Sequence, residues 1–134
     1  MTDKIRAALE ARLNSLTPAI STAWENASFT PVNNQPYQRV NLLYADPDNR
    51  ILGCARRYEI GIFQVTLCYP IGSGAGAIEG RSNLLREHFK RGTVLTNSGQ
   101  SLQIINTPSK RSLGNDGAVF RMAVSINFRA EVFG

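Results

Sequence analysis

The stretch Tyr58-Glu-Ile-Gly-Ile-Phe-Gln-Val-Thr-Leu-Cys-Tyr-Pro70 decides the fold of this chain. From Ile62 to Tyr69, two sets of residues alternate. One set is Phe63, Val65, Leu67 and Tyr69, and the more polar set is Ile62, Gln64, Thr66 and Cys68. A period of two residues is typical of a strand whose faces differ. Pro70 cannot donate a hydrogen bond to a neighbouring strand, so we predict that the strand ends there.

A glycine-rich turn and a helix follow this strand. The turn is Ile71-Gly-Ser-Gly-Ala-Gly76, and the helix is predicted from Ala77 to Phe89. Four helix residues recur at the spacing of one buried stripe: Ile78, Ser82, Leu85 and Phe89. We predict Gly92 as the C′ residue that closes the helix.

One helix is predicted at the start of the chain. Thr2 is a suitable N-cap, and the helix should end by Thr17 because Pro18 disfavours helical geometry in the residue before it. Its predicted buried stripe is Ile5, Leu9, Leu13 and Leu16.

Two strands are predicted between this helix and the central strand. The first runs from Ala19 to Trp24 and brings the only tryptophan into the predicted core. The second runs from Tyr37 to Tyr44, and its inward residues are predicted to be Val40, Leu42 and Tyr44.

Two or three more strands are predicted in the last third of the chain. Short strands are expected at Thr93 to Leu95 and at Ser101 to Thr107, on either side of a Ser98-Gly99 turn. Lys110 to Gly117 is predicted to be an exposed loop. The final strand, from Ala118 to Arg129, shows the clearest alternation, and its length indicates a central strand.

The order of these elements predicts an α+β fold. We expect a mostly antiparallel sheet of five to six strands, with two helices packed on one face. A chain of 134 residues is the usual size of one domain, here 1–134. The predicted core comprises Trp24, Phe63, Val65, Leu67, Phe120, Val124 and Ile126, with Leu9, Leu13, Leu85 and Phe89 packing the helices onto the sheet.

Composition gives only weak indications of a partner. The formal net charge is +5, but the 15 Lys and Arg residues are scattered, so a solvated surface explains them as well as an acidic partner does. The two cysteines, Cys54 and Cys68, are too few for a disulfide scaffold or a four-ligand zinc site. No segment has the pattern of a membrane span or a signal peptide, so we expect a cytoplasmic protein.

The stretch from Asp46 to Arg57 is the first candidate for an interface. It has turn residues and no clear period, and long irregular loops in compact domains are often functional. We predict that it is poorly ordered until a partner binds. The candidate interface residues are Arg50, Ile51, Leu52, Arg56 and Arg57, since an exposed loop has little reason to keep two apolar residues and arginine suits pairing with carboxylates.

No catalytic or metal-binding pattern is predicted. Gly72-Ser-Gly-Ala-Gly-Ala77 matches a dinucleotide-binding turn, but the predicted strand after the helix carries no acidic residue, so a flexible turn is the better interpretation. His88 is the single histidine and is expected at the surface or rim. Asp46-Pro-Asp48-Asn49 lacks the glycine and the distal glutamate of a calcium loop. We therefore expect that the chain binds no cofactor and is not an enzyme.

Six segments spread over nearly the whole chain carry a family resemblance. They are Ile5-Arg-Ala-Ala-Leu-Glu-Ala-Arg-Leu13, Thr22-Ala-Trp-Glu-Asn26, Phe29-Thr-Pro31, Tyr37-Gln-Arg-Val40, Gly61-Ile-Phe-Gln-Val65 and Val124-Ser-Ile-Asn-Phe128. In order and spacing, the chain resembles the small tail-terminator-like proteins of bacteriophages and prophages.

This resemblance implies an α+β subunit that forms a ring, commonly a hexamer, on the head-proximal end of a phage tail tube. Such a ring stops tube growth and joins the filled head. The implied partners are other copies of the chain, the tail-tube protein and a head-completion or connector protein, with DNA only passing through the channel. The implied locations are the host cytoplasm during assembly and then the virion tail, with no membrane partner.

Two alternatives remain open at the level of sequence. A nucleic-acid-binding module is supported by the positive charge and the loop arginines. A small nucleotide-dependent enzyme is supported only by the turn from Gly72 to Ala77. A DNA binder should lose affinity steeply as salt rises, whereas a ring former should show a defined oligomer or join tails.

Overall fold

Strand is the predominant secondary structure of the described residues, with one helix at the start of the chain and one near its middle. The computed structural model describes residues 2–17, 19–31, 35–45, 56–72, 74–117 and 119–133. In chain order the elements are α1 (Thr2–Asn14), β1 (Ser21–Ala23), β2 (Tyr37–Tyr44), β3 (Arg56–Pro70), α2 (Ala75–His88), β4 (Val94–Asn97), β5 (Gln100–Ile104), β6 (Ser109–Asp116) and β7 (Val119–Phe133).

The strands form one sheet built around β3 and β7. The order is β1-β2-β3-β7-β5-β4, with β6 also beside β7. β3 and β7 pair antiparallel along their whole length, and among the described strands only β1 and β2 pair in parallel. The predicted α+β class and mostly antiparallel sheet are therefore confirmed, with seven strands described rather than five or six.

The alternation in β3 separates a core face from an outer face, as predicted. Phe63, Val65 and Leu67 are fully buried, whereas Ile62 is exposed. The strand ends at Pro70, also as predicted. At Gly61 a Cβ atom would lie 2.5 Å from the Leu43 carbonyl oxygen and 2.8 Å from a ring carbon of Phe128, so only glycine fits between these neighbours.

Both helices pack on the same face of the sheet. α1 contacts β4 and β5, while α2 contacts β3 and β7. Their apolar stripes enter one core, and the predicted members of both stripes are all buried: Ile5, Leu9, Leu13, Leu16, Ile78, Ser82, Leu85 and Phe89. Burial of these stripes is the main stabilising term for the helices, because isolated helices of this length are marginal in water.

The prediction of an exposed loop from Lys110 to Gly117 was wrong, because most of this segment is strand β6. A register shift between Ser112 and Gly114 interrupts its pairing with β7, which breaks the alternation that would have revealed the strand. Its polar composition is typical of an edge strand. Lys110 Nζ lies 2.7 Å from Glu79 Oε2 on α2, so an ion pair ties this edge to the helix layer.

Three predicted core positions differ in the structure. Trp24 and Phe120 are only partly buried, although both pack against the core. Trp24 follows the end of β1, and Phe120 lies at the start of β7, so neither is covered on all sides. Tyr44 remains 43% exposed because it lies at the end of β2, where its ring meets Phe128 edge-on.

Of the two turns predicted after α2, the Ser98-Gly99 turn is confirmed, whereas Gly92 does not occupy the predicted position. α2 ends at His88, and Gly92 lies beyond its C′ position, in the turn to β4 with φ 90°. Its N–H donates to the Ile104 carbonyl at 2.8 Å. Ser98 and Gly99 form the predicted turn, and their positive φ values of 48° and 85° are those of a tight β-hairpin.

Candidate functional site

The predicted interface residues lie at one end of the long β3–β7 pair. Arg56 and Arg57 are the first residues of β3, and their backbones pair with Phe133 and Val132. They were predicted to lie in a loop, which was wrong: the strand begins two residues earlier than Tyr58. Their side chains lie outside the described part of the structure.

The remaining members of that predicted loop fall outside the described residues. Among the candidate interface residues these are Arg50, Ile51 and Leu52. The same holds for the turn at Asp46-Pro-Asp48-Asn49 and for Cys54. Poor order of this segment before a partner binds therefore stays a prediction.

Past Gly61 and Ala130, β3 and β7 pair without a third described strand, although Gln100 Nε2 of β5 still donates to the Glu131 carbonyl at 2.9 Å. β2 ends opposite Gly61, after which the Ala45 N–H donates to the Ile60 carbonyl at 2.8 Å. On the other side, β5 pairs with β7 only as far as Ala130. We call residues 56–59 and 131–133 the arm. A two-stranded ribbon is marginal on its own, so the arm is a suitable place for contact with another chain.

The face of the sheet opposite the helices is a second candidate surface. We define the open face by side chains of β2, β3, β6 and β7 that alternate with the core residues. Its members include Arg39, Asn41, Leu43, Ile62, Gln64, Thr66, Arg111, Arg121, Ser125, Asn127, Arg129 and Glu131. One end is covered, since Phe29 packs on Tyr37 with ring centroids 5.4 Å apart.

Arginine is the predominant charged residue of the open face. Arg39 and Arg111 are exposed and lie at the two ends of one cross-strand row, whose middle members are Thr66 and Ala123. Arg121 and Arg129 lie on β7 on the same side. The alternation along β2 and β7 puts Arg39 and Arg129 opposite the apolar residues of their strands, whereas Arg111 could not be placed in this way because its segment was predicted to be a loop.

Two of these arginines lie over tyrosine rings. The Arg39 guanidinium carbon is 5.5 Å from the centroid of Tyr37, and that of Arg129 is 5.2 Å from the centroid of Tyr58. Stacking on a ring limits the positions of a long side chain and leaves its planar fork available to a ligand. These ring contacts therefore favour particular positions of the two charges before any partner binds.

Exposed apolar side chains lie beside the arginines at one corner of the sheet. Leu43 and Ile62 are opposite each other in register, and they are 52% and 36% exposed. Tyr44, the next residue on β2, lies on the opposite face of the sheet, where its ring meets that of Phe128. Contiguous exposed apolar residues of this kind are characteristic of protein contact surfaces.

The glycine-rich turn does not lie in a dinucleotide-binding fold. After α2 the chain enters β4, which runs antiparallel to β3, so the parallel strand required by a dinucleotide fold is not formed. The turn borders a shallow cavity of about 300 Å³, and none of the described residues that line it is charged. Gly74 caps α2 with φ 84° and without a side-chain hydrogen bond.

His88 joins the two helices instead of lying free at the surface. Its Nε2 is 2.7 Å from the Arg12 carbonyl oxygen, and the Arg12 guanidinium donates in return to the His88 carbonyl at 2.9 Å and 3.1 Å. Burial lowers the pKa of the His88 imidazole below its ordinary value, which favours the neutral ring. These reciprocal hydrogen bonds give His88 a structural role in joining α1 to α2.

Across the described ranges, no group of three or more His, Cys, Asp or Glu side chains is placed to hold a metal ion. Neither α1 nor α2 is long and apolar enough to cross a membrane, and the described residues contain no other α-helix.

Comparison with known proteins identifies one family. The model of a family described as phage tail terminator protein matches residues 4–128 of the chain. A solved structure of a protein without a descriptive name superimposes with a TM-score of 0.80 at 27% sequence identity, and the match covers 100% of this chain and 98% of that one. No curated protein matches the chain.

Proposed function

The chain belongs to the phage tail terminator family, and from this membership we propose that it caps the head-proximal end of a phage tail tube. Capping ends the growth of the tube and provides the surface to which the filled head joins. The family is one of structural phage-tail proteins, and that coarser role follows directly from membership. The observation that carries the proposal is the family match over residues 4–128.

We propose that the subunits assemble as a ring, with six copies as the expected number. A ring requires two unlike surfaces on each subunit, because each copy must contact its two neighbours head to tail. The arm is one candidate for such a surface. The whole chain acts as one domain in this ring, which forms in the host cytoplasm and leaves a channel for DNA.

The arm supports a role for the candidate residues Arg50, Ile51, Leu52, Arg56 and Arg57. Arg56 and Arg57 belong to the arm, and the first three residues precede it in the chain. In this proposal they contact a neighbouring subunit, the tail-tube protein or a head connector protein.

The test is tube assembly in the presence of the purified chain. Tail-tube protein should form shorter tubes as more of the chain is added, because capped ends stop growing, and heads should join tubes that carry the chain. Electron microscopy gives the tube lengths, and mass in solution with and without tube protein gives the number of copies. Tubes that keep growing past bound subunits, or heads that join equally well without the chain, would contradict the proposal.

Nucleic-acid binding is the second candidate function, and the arginines of the open face favour it. The open face lacks one feature of single-strand binders, however. Tyr37 is buried and Tyr58 lies beneath Arg129, so neither ring offers a free surface on which a base could stack. Affinity for a short DNA duplex that falls steeply with rising salt would support this candidate.

A further inference from the structure

We propose that the open face docks an acidic protein surface that also carries an apolar patch, and that this protein is a different chain from the one described here. The inference rests on the proposed function only for the expected identity of the partner, a tail or head component. The chemistry of the partner is argued from the residues of the open face alone.

The charges of the open face are strongly biased toward one sign. Its described charged side chains are four arginines, Arg39, Arg111, Arg121 and Arg129, beside a single acid, Glu131. Between Arg39 and Arg111 the side chains are neutral, and three strand spacings separate the two ends of that row by about 15 Å. A partner with carboxylates at a similar separation could pair with both ends at once.

Arginine at these positions favours carboxylates held on a rigid partner. The guanidinium group pairs with a carboxylate through two parallel N–H donors, and its weak hydration makes burial in an interface less costly than burial of lysine. The stacked positions of Arg39 and Arg129 reduce the conformational entropy that would be lost on binding.

The apolar corner distinguishes a protein partner from DNA. Leu43 and Ile62 lie in the row beyond Asn41 and Gln64 and are exposed. The phosphate backbone has no apolar surface that would bury them, whereas protein interfaces combine a desolvated apolar centre with arginine at high frequency. The same face therefore matches a protein better than a nucleic acid.

Four of the described acids outside the open face are not available to form the complementary surface. Glu25 Oε1 lies 2.9 Å from Arg6 Nη1, Glu10 lies 3.8 Å from the same group, and Glu79 is paired with Lys110. Glu59 is buried. Most of the described acids outside the open face are thus already occupied within the subunit, which favours a different acidic chain over a second copy.

A pair of charge-reversed variants tests the proposal. Arg39→Glu with Arg111→Glu reverses two exposed charges of the open face. Lys90→Glu with Arg91→Glu reverses two exposed charges after α2 and changes the net charge by the same amount. Wild type and both variants are tested for binding to matching tail tubes, to poly-L-glutamate and to a short DNA duplex, after unfolding curves show that all three are folded.

We expect the open-face variant to lose at least about tenfold in affinity for tubes and for poly-L-glutamate, while the control variant stays within about threefold of wild type. Leu43→Ala should weaken tube binding and leave DNA binding unchanged. Equal losses in both charge variants would show a non-specific charge effect and overturn the proposal. A selective loss of DNA binding, with tube and poly-L-glutamate binding intact, would overturn it in favour of nucleic acid.

Failure of the proposed function gives a different pattern. If wild type does not bind tubes, the capping role fails, but the comparison of the two charge variants on poly-L-glutamate still decides whether the open face recognises carboxylates. Tube binding that survives both Arg39→Glu with Arg111→Glu and Leu43→Ala would leave the capping role standing and remove the open face from it.

Discussion

At the scale of single residues, two glycines that look equivalent in the sequence should respond oppositely to alanine. Gly61→Ala should lower the free energy of unfolding by about 1–3 kcal/mol, since the new Cβ would meet the Leu43 carbonyl at 2.5 Å. Gly80→Ala should raise it by about 1 kcal/mol, because Gly80 is a helical residue with no atom within 4 Å of the added methyl group. Urea unfolding measures both, and shifts of the same sign would contradict this interpretation.

His88 should make the stability of the chain depend on pH. Since burial lowers the pKa of its imidazole in the folded state, the unfolded chain binds more protons below about pH 6.5, and the free energy of unfolding should fall as the pH drops through that value. The control is His88→Gln, which keeps an N–H donor for the Arg12 carbonyl but does not titrate. Unfolding curves between about pH 7 and pH 5 should lose part of their pH dependence in this variant. An unchanged slope would show that other groups cause it.

At the scale of elements, burial along β3 and β7 decreases from the middle of each strand toward the Pro70 end. Phe63 is fully buried with its ring 6.0 Å from that of Phe89, so Phe63→Ala should cost about 3–5 kcal/mol. Phe120→Ala should cost clearly less, because Phe120 is only partly buried. Chemical unfolding of the two variants gives the comparison. Equal costs would mean that Phe120 is held as tightly as Phe63.

The elements that sequence predicted well are those whose periodicity is undisturbed. β3, β7 and both helical stripes show their period directly, and each was predicted at nearly its observed position. β6 could not be predicted this way, because the shift at Ser112 and Gly114 breaks its alternation and its residues are mainly polar. Burial of Trp24 was overestimated, since side-chain size indicates a core residue but does not reveal that the strand has already ended.

At the scale of the whole molecule, the candidate surfaces depend on contacts that sequence does not contain. Arg39 and Arg111 are far apart along the chain, and only the register of four strands brings them into one row. The arm could not be predicted from the sequence either. Tertiary structure decides the residues at which β2 and β5 stop pairing with β3 and β7. The arginine pair at Arg56 and Arg57 was recognised, but its place in a strand was not.

Reversal of that arginine pair should separate assembly from folding. Arg56→Glu with Arg57→Glu should block ring formation or tail joining, because like charges across an interface are costly, while the unfolding midpoint stays near that of wild type. The matched control is Lys90→Glu with Arg91→Glu, which should assemble normally. Mass in solution and counts of joined tails are the measurements. Normal termination and head joining in the arm variant would remove Arg56 and Arg57 from the interface.

The full-length pairing of β3 with β7 also has a mechanical consequence. Each strand has 15 residues, which corresponds to about 50 Å at a rise of about 3.3 Å per residue. The hydrogen bonds between the two strands lie across this direction, so a pull on one strand along its axis loads many bonds together in shear. Tension that enters at the arm of one strand would therefore pass through the subunit without opening the ladder bond by bond.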